Sequence, residues 1–245
     1  MTILIGCDPE VFLERDGNII SSIGVIGHGK DDPLEVEEGA VLEDNVLAEI
    51  NIIPASNPTK FVSSIRKVLR QLTDITKSDI VVKPSHNFTK EYLMSLPEAA
   101  MNFGCDIDYN AYTGEANPKP NPWTTLRTAG GHVHVGADNI DMHKLVKTMD
   151  LYLGVPSVVL DSDAERRELY GKAGCYRPKD YGVEYRVLSN FWLKSNDLMQ
   201  WVYERTIKAV NDHKTIEIPE NTIINCINNN NVGLAKELCD EYRLV

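Results

Sequence analysis

Four short segments of this chain repeat one pattern, and that pattern limits how it can fold. Asp8 and Glu10, Glu49 and Asn51, His132 and His134, and Glu184 and Arg186 are each two residues apart. Each pair lies in a run that reads as a strand, and residues i and i+2 of a strand point to one face. If these strands are neighbours in one sheet, one face collects three or four carboxylates, two imidazoles and a guanidinium. A buried face cannot hold such charges without partners. Metal ions are the natural compensation. Carboxylate oxygens with an imidazole suit Mg²⁺ or Mn²⁺, the ions that accompany nucleotide phosphates.

Taken singly, each pair has a plainer reading. Asp8-Pro9-Glu10 fits an exposed strand edge, and Glu49 fits half-buried alternation beside Ile50 and Ile52. Glu184-Tyr185-Arg186 fits a cross-strand ion pair. The two histidines of 132–134, set between glycines, fit a crowded polar site and are a moderate metal signal. His28, His86, His143 and His213 have no such company and read as ordinary residues. The joint occurrence of the four pairs carries the argument.

A second constraint is a basic segment in an acidic chain. With 36 acidic and 25 basic residues among 245, the net charge is -11. That balance disfavours non-specific binding to nucleic acid or anionic lipid. Yet Arg166, Arg167, Lys172, Arg177, Lys179 and Arg186 stand among only three acids, so this segment is positive. Clustered arginine suggests a bound phosphate or carboxylate. The plain alternative is a solvated, self-paired loop, and the interleaved Gly171, Gly174 and Gly182 favour a shaped loop over a helix. Neither a GxxxxGK[ST] P-loop nor a GxGxxG dinucleotide fingerprint is present.

The remaining pattern predicts an α+β chain. Residues 3–14 and 19–26 read as a hairpin about Asp16-Gly17, and 46–53 as a strand closed by Pro54. Asn57 and Pro58 open a helix whose Phe61, Ile65, Val68, Leu69, Leu72 and Ile75 recur at helical spacing, with a solvated basic face. Residues 80–83 form a short strand, and 102–125 a long loop of the kind that is often functional. A strand over 128–136 follows, then a helix over 142–153 that Pro156 kinks or ends. A polar stretch, 161–182, leads to a strand over 183–188. Leu198, Trp201, Val202, Ala209 and Val210 mark another helix, and two short helices flank Asn228–Asn231. No repeat or linker divides the chain, so residues 1–245 are expected to form one domain. Helices should cover one face of a largely antiparallel sheet. Five cysteines without a CxxC argue for a reducing compartment. The opening residues read as a strand rather than a signal peptide, and no apolar run is long enough for a membrane span. The expectation is a soluble, cytoplasmic protein.

Gly6-Cys-Asp-Pro-Glu10, Asp44-Asn45 with Glu49-Ile-Asn51, Arg127-Thr-Ala-Gly-Gly-His-Val-His-Val-Gly136, Leu169 to Arg177, and Gly182-Val-Glu-Tyr-Arg-Val-Leu-Ser-Asn190 occur in that order. Together they resemble the phage COOH–NH2 ligase type 2 family, the phiEco32-like amidoligases. That resemblance places the chain in the glutamine synthetase and glutamate–cysteine ligase superfamily. It implies an antiparallel sheet whose concave face holds ATP and divalent metal. Asp8, Glu10, Glu49, His132 and Glu184 would bind metal, with Asp44 a further possibility. His134 would approach ATP, with Arg167 and Lys172 of the basic segment beside it. Arg166, Arg177 and Arg186 would act on the transferred phosphoryl group or the substrate. The superfamily pattern has two glutamates where this chain has Asp8 and Glu10, so the shorter Asp8 could instead support a neighbouring ligand. The chain is far shorter than glutamine synthetase, so neither the dodecamer nor the glutamate and ammonia sites carry over.

The activity implied is amide formation through an acyl phosphate, from ATP, a carboxylate and an amine. Asp106 or Asp108 would take up the amine and accept its proton. Two other readings remain open from the sequence. One is a guanidino kinase-like phosphotransferase on the same fold. The other is a non-catalytic nucleotide-binding or structural phage protein. The sequence does not specify the substrates or the oligomeric state.

Overall fold

The computed structural model describes residues 3–101, 107–118, 124–137, 140–161 and 163–245. The chain opens with β1 (Leu4–Cys7), β2 (Glu10–Arg15), β3 (Asn18–Ile20), β4 (Leu34–Val36), β5 (Gly39–Asp44) and β6 (Leu47–Ile52). Helix α1 (Pro58–Thr76) leads to β7 (Asp79–Val81), β8 (Ser85–Asn87) and α2 (Lys90–Ser95). Strands β9 (Tyr109–Asn110), β10 (Leu126–Thr128) and β11 (Val133–Gly136) precede α3 (Met142–Met149), α4 (Val155–Leu160) and α5 (Arg166–Leu169). Then come β12 (Cys175–Lys179), β13 (Gly182–Tyr185), α6 (Asn196–Asp212), α7 (Glu220–Asn228) and α8 (Val232–Tyr242). Among the described residues no helix is long and apolar enough to cross a membrane.

The strands form two main antiparallel sheets and a small pair, not the single sheet that the sequence suggested. One main sheet runs β1-β11-β13-β12-β9, and the other β3-β2-β6-β5-β4 with β7 also on β2. Strands β8 and β10 pair separately. The expected strand over 3–14 is broken at Asp8-Pro9, where the chain leaves the first sheet and enters the second. Pro9 has no N–H for a ladder, but its carbonyl still accepts from Ile50 N–H at 3.1 Å. The strand expected over 128–136 also splits, and residues 129–132 make a tight passage between β10 and β11. In the second sheet, β2 and β3 form the expected hairpin, with Asp16 and Gly17 both at positive φ.

Helix α1 covers β5 and β6 and also meets α6. Its apolar stripe is buried at Phe61, Ile65, Val68, Leu69 and Leu72. The basic face is paired as well as exposed: Lys60 and Lys67 reach Glu38 and Glu37, and Arg66 Nε donates to Asn196 at 2.7 Å. Asn57 caps the helix by accepting Lys60 N–H at 2.8 Å. Asn57→Ala is expected to cost about 1 kcal/mol, readable as a lowered urea midpoint with an unchanged slope.

Helix α3 backs β12 and β13. Pro156 does not end this helix. A π-helical turn, Asp150–Gly154, joins α3 directly to α4. Pro156 cannot donate to the carbonyl four residues back, and the wider turn accommodates that loss. The segment expected as a shaped loop over 161–182 also contains regular structure, α5 and β12.

Candidate active site at the junction of two sheets

Strand register brings the four sequence pairs together from both sheets. Glu10 at the head of β2 lies directly opposite Glu49 of β6, and Leu42 of β5 lies on the other side of Glu49. In the first sheet, His134 of β11 sits between Gly6 of β1 and Glu184 of β13. Arg177 of β12 faces Glu184 from the far side. Asp8, in the crossing between sheets, stands where the two groups meet. Glu10 ties the halves together. Its N–H donates to Gly130 O at 2.9 Å, and its carboxylate accepts Gly130 N–H at 2.6 Å.

Two constellations of ligand atoms result. Glu10, Asp44 and Glu49 each offer one oxygen, and all three lie within 4.8 Å of one another. Burial pushes the Glu10 carboxyl up to about 7, with Asp44 adding to it. Glu49 is pushed well above the carboxylate range by burial and then by Asp8, Asp44 and Glu10. Lys30 Nζ is 3.0 Å from Asp44, and Arg186 and Arg166 act on Glu10 from a greater distance.

The second constellation is Asp8, His134 and Glu184, again within 4.8 Å. Asp8 Oδ1 is 3.2 Å from both His134 Nε2 and His132 Nδ1. Tyr181 OH meets His134 Nδ1 at 2.8 Å and so fixes the ring. Burial would raise Asp8, but His134 and His132 hold it well below its usual range. Burial lowers His134, and Asp8 more than offsets this, leaving the imidazole raised. Asp8 Oδ1 and His134 Nε2 are buried without an aligned hydrogen bond. Oxygen and nitrogen atoms left open in this way, beside a carboxylate trio short of bases, are a donor set that fits a hard divalent cation.

Glu184 differs from the other acids. It is fully buried and already enclosed by bases: Arg177 Nη1 at 3.1 Å, Lys179 Nζ at 2.9 Å, and Arg186. Burial and Asp8 push it up, but Arg186, His132 and Arg177 outweigh them and set it at about 2. Its ion pairs compensate its burial without a metal. The demand for a cation therefore falls first on Glu10, Asp44 and Glu49.

These residues separate two clefts that share Glu10, Asp44, His132 and Arg186 as a common wall. The first encloses about 610 Å³ and adds Asp108, Arg127, Arg166 and Tyr170. The second encloses about 790 Å³ and adds Asp8, Lys30, Glu49, His134, Arg177 and Lys179. Arg166 is buried at the first cleft. It donates to Val187 O at 2.9 Å, and its Nε has no hydrogen-bond partner. Burial pulls its guanidinium down to about 10, against the opposing effect of Glu10. Asp108 pairs with Arg186 at 3.3 Å. Asp106 lies outside the described residues.

Two expected nucleotide contacts turn elsewhere. Arg167 donates to Ser157 Oγ at 2.8 Å and Asn230 Oδ1 at 3.2 Å, and Lys172 donates to Asn228 O at 3.3 Å. Both pin the basic segment to α4 and the α7–α8 connection, and neither lines a cleft. Consecutive residues of a helical turn do not face the same way, so Arg166 and Arg167 could not both point into the site. Sequence reasoning gave no role to Lys30 or Tyr181, and none to Lys179 beyond membership of the basic segment. Nothing local marks Lys30 except its place immediately before the acidic run from Asp31 to Glu49.

A crevice between sheets that gathers carboxylates, imidazoles and guanidinium groups offers ligands for cations and for anions side by side. Residues 121–224 match the model of the family described as Phage phiEco32-like COOH.NH2 ligase-type 2. The matched stretch holds His132, His134, Arg166, Arg177, Glu184 and Arg186. Asp8, Glu10, Asp44 and Glu49 precede it. No curated protein matches the chain.

Proposed function

We propose that this protein is an ATP-dependent ligase that joins a carboxylate to an amine through an acyl phosphate, on a glutamine synthetase-like scaffold. The family match supports the carboxyl–amino ligase in general terms. The observation that carries the finer reading is the common wall, where the carboxylate-rich groups and Arg186 face two clefts at once. One cleft would take the triphosphate and the other the substrates, with phosphoryl transfer at the boundary.

Glu10, Asp44 and Glu49 would hold Mg²⁺ or Mn²⁺, with Asp8, His134 and His132 forming the adjoining group. The ion would neutralise and orient the phosphates. Arg177 and Lys179 line the second cleft, where they would meet phosphate oxygens while sharing Glu184. Arg186 would steady the phosphoryl group as it moves, and Arg166 would face the substrate carboxylate from the first cleft. A carboxylate oxygen attacks the γ-phosphorus and ADP leaves. The amine nitrogen then attacks the acyl carbon, phosphate leaves, and the amine proton passes to a carboxylate. Asp108, which lines the first cleft, would take that proton, and its ion pair with Arg186 would link it to phosphate release.

Hydroxylamine tests this reading, because it is neutral near pH 7 and intercepts acyl phosphates without a dedicated amine pocket. A panel of carboxylates with Mg²⁺-ATP and hydroxylamine is expected to yield one hydroxamate per ADP for the correct acid. Phosphate recovered on a guanidine would assign a phosphotransferase instead. No ADP release with any acid or amine would point to a binding protein.

A further inference from the structure

Lys30 reaches the second cleft from the connection between β3 and β4, which also contributes Pro33. Residues 27–32 join two short elements of the second sheet and are largely exposed. The loop is rooted on β5 through Glu43. The Glu43 carboxylate accepts Ile26 N–H at 2.9 Å and Gly27 N–H at 2.7 Å, and Glu43 N–H donates to His28 O at 2.7 Å. Gly24 and Gly27 both have positive φ, which glycine adopts without strain. His28, Gly29 and Asp32 bond among themselves. Among the described residues, two polar links then join 28–32 to the rest of the chain: Glu43 to His28, and Lys30 to Asp44. The second is therefore the link that holds the loop tip across the cleft.

We propose that Lys30 is a built-in counter-cation of the Glu10–Asp44–Glu49 trio, and that a divalent ion displaces it, so that metal loading releases the 27–32 loop from the cleft. This rests on the metal reading of the trio given above. Lys30 Nζ lies 3.0 Å from Asp44, whose carboxylate is within 4.8 Å of oxygens of Glu10 and Glu49, so its ammonium charge bears on all three acids. A divalent ion brings twice the charge to the same oxygens and takes up the Asp44 lone pair that Lys30 uses. Asp44 directly follows Glu43, so any turn of Asp44 toward a metal acts at the root of the loop. The ammonium freed from Asp44 is then available to an anion that enters the second cleft, which Arg177 and Lys179 also line. Metal would then be required before anion for a physical reason: until it arrives, Lys30 is engaged with the acids.

The test uses the full chain with Mn²⁺ alone and no nucleotide. Lysine acylation with a water-soluble anhydride, read by peptide mass spectrometry, is expected to label Lys30 slowly without metal and several-fold faster with it. Lys60 and Lys67, paired to Glu38 and Glu37, serve as internal controls and should not change. Lys30→Met is expected to bind Mn²⁺ about tenfold more tightly by electron paramagnetic resonance, since no ammonium must be displaced; about 1.4 kcal/mol corresponds to that factor. If the wild-type protein binds Mn²⁺ while Lys30 labelling stays constant, or if Lys30→Met binds it no more tightly, displacement is wrong and the metal site stands. If the wild-type protein binds no Mn²⁺, both fall together.

Discussion

Glu10→Gln and Glu49→Gln are each expected to weaken Mn²⁺ binding by roughly 10–100-fold or more, and at the same time to stabilise the metal-free protein. The two effects have one cause. Glu10 and Glu49 are buried against each other and against Asp44, and a neutral amide of the same shape removes the repulsion along with the ligand charge. The sign with pH follows from the direction of the shift. The unfolded Glu10 carboxyl ionises near 4.5 and the folded one near 7. Between those values the native state binds more protons than the unfolded chain. Stability from this group is complete below pH 4.5 and is lost as pH rises through 7, by about 3 kcal/mol. Bound metal reverses the trend, because it favours the ionised form. Thermal melts at pH 5 and pH 8, with and without Mn²⁺, read both effects. Wild-type metal affinity in the variants, or a pH slope that Glu10→Gln leaves unaltered, would show that the trio is not a cation site.

The second large effect belongs to a residue with no side chain. Gly131 lies in the passage between β10 and β11, with its N–H on Leu188 O and its carbonyl accepting Trp192 Nε1–H at 3.1 Å. A Cβ there would strike Ser189 O and lie 2.5 Å from Trp192 Nε1 and 2.7 Å from Ser189 C. Two of those atoms are backbone, and Trp192 is wholly buried, so none can step aside cheaply. Gly131→Ala is expected to cost about 3 kcal/mol or more. Gly29→Ala, which meets nothing within 4 Å, should have a far smaller effect. Urea unfolding of the three proteins measures the contrast. Gly130→Ala separates site from stability, because its Cβ would meet the His132 ring, which can turn at the expense of its position near Asp8.

The residues of the candidate site were more legible in the sequence than the frame that holds them. Asp8, Glu10, Glu49, His132, His134, Glu184 and Arg186 come together as the i, i+2 pattern and the resemblance suggested. The reason they come together is different. Alternation within one sheet would put Asp8 and Glu10 on one strand face, but Pro9 divides them between two sheets. They converge because β1 and β2 diverge around a shared crevice. Strands β4 and β5 were hidden by the acidic run, where Glu35, Glu43 and Asp44 break the apolar pattern of half-buried strands. Arg167 and Lys172 looked equivalent to Arg166 and Arg177 because charge in a sequence carries no direction. Only the turn of α5 and the position of α7 decide which guanidinium faces the cleft. Lys30 was invisible because its role depends on Glu43, thirteen residues away, which fixes the root of its loop.

The crossing at Asp8-Pro9 also sets an order of events during synthesis. The acidic trio is complete once the first 49 residues have emerged. The imidazoles and arginines that face it come from residues 132–186, and the bond between Glu10 and Gly130 spans 120 positions. Until the later half arrives, the nascent segment carries these carboxylates with Lys30 nearby and lacks the opposing wall of imidazoles and arginines. Pairings of such long range form late and slowly. On the function proposed above, a chain cut before β11 would keep the acidic trio and lack the imidazoles and arginines that complete the site.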